Sequence, residues 1–284
     1  MVLESLISPF KAERKPSHMI FFGALYASIA IFLSLWIFKE EASMVVVFLT
    51  VLATVPLMYR TIKYEEEKEV KIKREWLILK EHTNALKFFI ALFLGCVLAF
   101  SIWFIFLPYG TIQNLFSTQL HTINVINNKV TGDVVANSSG ILFNIIANNF
   151  KVLFFCVFFS FFYGAGAIFI LTWNASVISA AIGTYIRNEI GQIAGGFGFN
   201  LIASYFQIIS VGLFRYMTHG VLEILAYFVG GLAGGLISVA MIRHNVGDKK
   251  FNKVLLDALV LLVIAIGITV IAGLIEVYIT PILF

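Results

Sequence analysis

The sequence predicts an all-α protein: a polytopic transmembrane helical bundle of about seven spans with an outer interfacial amphipathic segment. Three observations carry that expectation. Hydrophobic residues make up 60% of the chain and charged residues only 13%, with a mean hydropathy of +0.94. Apolar runs of about 20 residues recur along it, each long enough to cross a hydrocarbon core of about 30 Å. Lysine and arginine fall almost entirely into alternate loops, the sorting expected of a chain threaded back and forth through a bilayer. No polar stretch is long enough to bury a core of its own, so a soluble domain is excluded. The net charge of +4 follows from that sorting and implies no nucleic-acid partner.

Taken in order, residues 1–18 form a short cytoplasmic segment broken by Pro9 and Pro16. The first span covers Met19–Phe38 and the second Met44–Tyr59, a transmembrane hairpin (19–59) joined by Lys39-Glu40-Glu41. Residues 60–83 are strongly charged and read as a cytoplasmic helix, with Glu67/Lys71 and Glu69/Lys73 in the favourable acid-before-base order. The transmembrane core, 84–284, opens with a third span, Leu86–Leu107, ended by Pro108 and Gly110. An outer loop, 108–149, follows; Ile112, Leu115, Phe116, Ile123 and Ile126 recur in it at helical spacing.

A fourth span is expected over Phe150–Thr172, capped by Asn148-Asn149. The run 174–186 is too short to span, so it is either a helix continuing into the cytoplasm or a re-entrant half-helix. A fifth span, Ile193–Phe214, is rich in glycine and holds Asn200 and Gln207. The hairpin Arg215–Thr218 then turns into the sixth span, Thr218–Ile242, and Val254–Ile279 makes the seventh. With the N-terminus inside and the C-terminus outside a cell membrane, sixteen lysines and arginines lie on the cytoplasmic side, Arg187 among them, and four on the other.

The sixth span is the organising element. Ala226, Gly230 and Gly234 form one small-residue ladder at spacing four, and Gly231 with Gly235 a second. Such ladders let helix backbones approach closely and form a packing seam, which also suits a homo-oligomer. His219 and Glu223 share one helical face near the start of this span. Ionisable groups inside a bilayer need a partner, so the pair is either a buried cap holding the hairpin with Arg215 or part of a polar site. Asn149, Asn174 and Asn200 join Arg215, His219 and Glu223 as candidate members of that site, although intramembrane asparagines also serve as glue between helices. A metal would need a third ligand, for instance Glu276, and none is assigned. No cofactor is expected. The chain has no phosphate-binding glycine loop and no nucleophile–base pair, which argues against an enzyme.

Two blocks carry a family resemblance. One is Ile145-Ile146-Ala147-Asn148-Asn149, followed by Gly164, Gly166, Asn174 and Gly183; the other is THGVLEILAYFVGGLAGGL from Thr218. Over about residues 85–280 the chain resembles the stage II sporulation protein M family, with Thr218 and Ala175 where the family often has proline and glycine. The resemblance implies a non-enzymatic scaffold or assembly factor for an envelope-associated complex. Besides the lipid bilayer, protein partners are then expected at the 60–83 helix or the outer loop. The alternative is a channel or transport subunit with a polar path between spans four to six, since glycine-rich, interrupted helices build such sites.

Overall fold

The computed structural model describes residues 17–69, 82–132, 138–163, 166–192 and 199–283. All regular structure among them is helical: α1 Ser17–Ile37, α2 Ala42–Glu69, α3 Thr83–Phe106, α4 Tyr109–Leu115, α5 Ser117–Gly132, α6 Ser138–Tyr163, α7 Ala167–Gln192, α8 Phe199–Arg243 and α9 Lys249–Leu274. A π-helical turn, Ile275–Ile279, and a last turn, α10 Thr280–Leu283, follow. Seven of these helices (α1, α2, α3, α6, α7, α8 and α9 with its extension) are long and apolar enough to cross a membrane.

The expected number of spans stands, but three boundaries change. The fourth span begins at Gly140 rather than Phe150, so the outer loop ends well before residue 149, and Asn148 and Asn149 lie inside a helix instead of capping one. That helix stops at Tyr163, short of the expected Thr172. Residues 174–186 are therefore neither a cytoplasmic continuation nor a half-helix; they belong to a full span, Ala167–Gly191, which also absorbs Phe169–Thr172. Finally, Arg215–Thr218 is not a hairpin. The expected fifth and sixth spans run together as α8, 45 residues without a break. No proline or turn sequence interrupts 215–218, so nothing local ends the helix there.

The charged tract differs as well. Its first part, 60–69, continues α2 instead of starting a separate helix; residues 70–81 lie outside the described ones. Glu65 and Glu66 are fully buried. Glu65 pairs with His82 at 2.5 Å, just before α3, and Glu66 receives Arg243 and His244 from the end of α8 at 2.5 and 2.7 Å. Arg243 also reaches Glu67 at 3.2 Å. A buried carboxylate without such partners would cost several kcal/mol (about 3–5 where one partner is removed), so this end of the bundle is pinned by charge.

Glycines set how closely the spans approach. At the crossing of α1 and α3 the contact is reciprocal: a Cβ added at Gly23 would stand 2.1 Å from the Leu92 carbonyl oxygen, and one at Gly95 the same 2.1 Å from that of Ile20. Trp103 closes the crossing, donating its indole N–H to Ser28 Oγ at 3.0 Å and meeting Phe32 edge-on. The α3–α7 contact is held by Ser179, whose hydroxyl lies 3.0 Å from the Val97 carbonyl, and by Arg187. One guanidinium nitrogen of Arg187 donates to the carbonyls of Phe104, Ile105 and Leu107 at 3.2, 3.2 and 2.9 Å. Arg187 therefore sits at the same end of the bundle as Leu107, opposite the end assigned to it from the sequence. The amphipathic outer segment is docked, not afloat in the interface. Ile112, Leu115 and Phe116 are buried, and Gln119 donates to the Ser43 carbonyl and to Ser176 Oγ at 3.0 and 3.2 Å.

Candidate functional site

The middle of α8 is its most enclosed part, buried almost continuously from Ala226 to Leu236. The glycine ladder lies against α6 and the start of α7. A Cβ at Gly234 would be 2.5 Å from the Val157 carbonyl oxygen, one at Gly230 would be 2.4 Å from Leu153 Cδ1, and one at Gly231 would be 2.7 Å from Ala167 Cβ. Ala226 is fully buried beside this seam. Gly230 facing Leu153 and Gly234 facing Val157 step together by one turn, so α6 and α8 run in the same direction.

That alignment brings Asn149 of α6 to Glu223 of α8, and the asparagine amide donates to the glutamate Oε1. Asn149 lies 9 residues after Gly140 and 13 before Phe162, roughly 14 and 20 Å from the two ends of its span. Glu223 thus meets α6 near the middle of that helix's apolar stretch. Glu276 approaches the same region from the π-helical turn, which packs against α8 and α6. His219 stands one turn before Glu223, with its Nε2 at 4.0 Å from Glu276 and its Nδ1 at 3.3 Å from Thr280 Oγ1. Two carboxyl groups, an amide, an imidazole and a hydroxyl from α6, α8 and the end of α9 therefore converge.

Among the residues expected here, Asn149, His219 and Glu223 are brought together. Asn174 bonds its own helix, donating to the Ile170 carbonyl at 2.8 Å. Asn200 and Arg215 lie in α8, with side chains outside the described residues. Glu276 is the member that sequence reasoning placed only as a hypothetical metal ligand. Its pairing depends on the π-turn, which adds a residue to one helical turn and resets the face that follows. Among the described residues, no group of three or more histidine, cysteine, aspartate or glutamate side chains is placed to hold a metal ion.

The arrangement spans residues 149 to 280, and the family model for Stage II sporulation protein M matches residues 85–281. The chain belongs to that family. The match begins inside α3 and takes in the whole converging site and the α8 seam, while α1 and α2 precede it. No curated protein and no solved structure matches the chain. Membership in the Stage II sporulation protein M family therefore stands on the family model together with the seven apolar helices.

Proposed function

We propose that this member of the family is a non-enzymatic scaffold for an envelope-associated complex, set in the cell membrane with its N-terminus inside and its C-terminus outside. The observation that carries this reading is the closure of α8 on α6 and α7 at backbone distance along the glycine seam. The spans meet there at close packing distance, and a rigid, close-packed bundle is what a platform requires. The orientation rests on charge. With Arg187 moved to the Leu107 end, fifteen lysines and arginines lie on the proposed inner side; Lys39, Lys129 and Arg187 lie on the outer side, and Lys151 and Arg215 fall within the spanning helices α6 and α8. Partners would then meet the inner tract at 60–83 or the outer α4–α5 cap.

A second reading, transport, is favoured by the polar convergence at Glu223, because ionisable groups within spanning helices line ion and solute pathways in many membrane proteins. One complementation experiment separates the two. In cells lacking the protein, a Lys63→Glu, Lys71→Glu, Lys73→Glu variant should insert normally but fail to restore envelope assembly, while Glu223→Gln restores it. The reverse pattern would discard the scaffold and leave transport.

A further inference from the structure

We propose that the turn between α8 and α9 binds a phospholipid with an anionic headgroup, its phosphate held by Lys249 and Lys250 and its acyl chains lying along α9. The site would serve a scaffold or a transporter equally, at whichever leaflet this end of the bundle faces.

A cleft of about 510 Å³ opens at the turn, lined by Met241, Ile242 and Arg243 from the end of α8 and by Lys249 and Lys250 from the start of α9. Its walls are fixed. Buried Glu66 holds both Arg243 and His244. The turn passes through Gly247 at a φ of 96°, a conformation that glycine adopts without steric cost. It is closed by the Asp248 N–H on the Asn245 carbonyl at 3.1 Å and by the Asn252 amide on the Gly247 carbonyl at 3.3 Å. A cleft already held in shape loses little freedom when it binds.

Charge selects the headgroup. Arg243 is engaged by Glu66 and Glu67, which leaves Lys249 and Lys250 as the lysines facing the cleft. Both are exposed, and neither makes an ion pair among the described residues. Asp248 also lines the cleft, so these three side chains together present one positive charge, the complement of a phosphate diester. A zwitterionic headgroup would bring a cation of its own against the two lysines.

Apolar surface selects a lipid over a soluble phosphate. Ile242 is 74% exposed, and so is Val246 at the tip of the turn. On α9, Lys249 shares a helical face with Leu256, Val260 and Val263, all of them exposed. Leu256 follows Lys249 by seven residues, roughly 10 Å along the helix. That distance carries the face through a headgroup layer about 5–8 Å deep and into hydrocarbon. Phosphate at the lysines and acyl chains on the ridge are thus in register, with basic side chains at the membrane surface supplying the attraction.

Fluorescence quenching tests this. The exposed Val246 is replaced by cysteine, in a background lacking Cys96 and Cys156, and labelled with an environment-sensitive dye. The purified protein in neutral detergent is titrated with phosphatidylglycerol carrying brominated acyl chains. Quenching should saturate, and phosphatidylcholine with the same chains should quench far less. Lys249→Gln with Lys250→Gln should shift the midpoint up by about 30-fold, about fivefold for each lysine. Lys39→Gln, at the opposite end of the bundle, should leave it in place. Ile242→Ser should weaken quenching with both lysines intact. Equal quenching by the two lipids would overturn the proposal, as would an unchanged midpoint in the double variant. Displacement of the lipid by glycerol phosphate at equal concentration would also overturn it, reducing the cleft to a site for soluble anions.

Discussion

An amide is the smallest neutral side chain that can offer an N–H to a carboxyl group, and Asn149 spends its amide on Glu223. Leucine at 149 would fill much the same volume and leave that oxygen facing hydrocarbon. Asn149→Leu should therefore lower stability by about 1–3 kcal/mol, the penalty for an orphaned buried polar group, read as a fall in thermal midpoint in detergent. An unchanged midpoint would mean that the bond contributes nothing. Both partners were legible as polar residues stranded in apolar runs. Their juxtaposition with Glu276 was not, because hydropathy locates a charge along a span but carries no information about a π-turn that redirects one side chain.

At the scale of elements, α8 is the unusual piece. Its 45 residues extend roughly 67 Å, about twice a hydrocarbon core, so it must tilt or project beyond the bilayer. Spin labels at Phe206 and Val221, both exposed, should lie about 22 Å apart along a continuous helix. A hairpin at 215–218 would bring them to about half that. The apolar runs themselves were readable from composition alone. Their ends were not, because within an apolar run the chain gives little to distinguish a break from a continuation. α6 ends at Tyr163 and α7 starts at Ala167 with only small residues in the sequence between them, while Arg215–Thr218, expected as a hairpin because Arg215 interrupts the apolar run, is helical.

For the whole molecule, all-α architecture and the number of crossings were legible because bilayer thickness imposes them on any chain of this composition. Two boundary errors offset each other: α7 was not counted as a crossing, its start being merged into the fourth span, while two stretches of α8 were counted as two, so the number of crossings survived. Single cysteines at Lys249 and at Tyr109, both exposed, should accordingly react with impermeant reagents from opposite faces. Buried Cys96 and Cys156 are replaced by alanine in that background. Reaction of both sites from one face would end the seven-crossing arrangement.

The grip of Arg187 on the end of α3 has a consequence in time. The arginine and the Leu107 carbonyl are 80 residues apart, which at ribosomal speed is roughly 4–16 s of synthesis. Through that interval the end of α3 has left the ribosome with those three carbonyls still waiting for their donor. Headgroups and water must hold them until α7 arrives. The register of the third span is thus set late, by a residue two crossings downstream, and a stalled chain shorter than about residue 187 would carry α3 in the membrane without its lock.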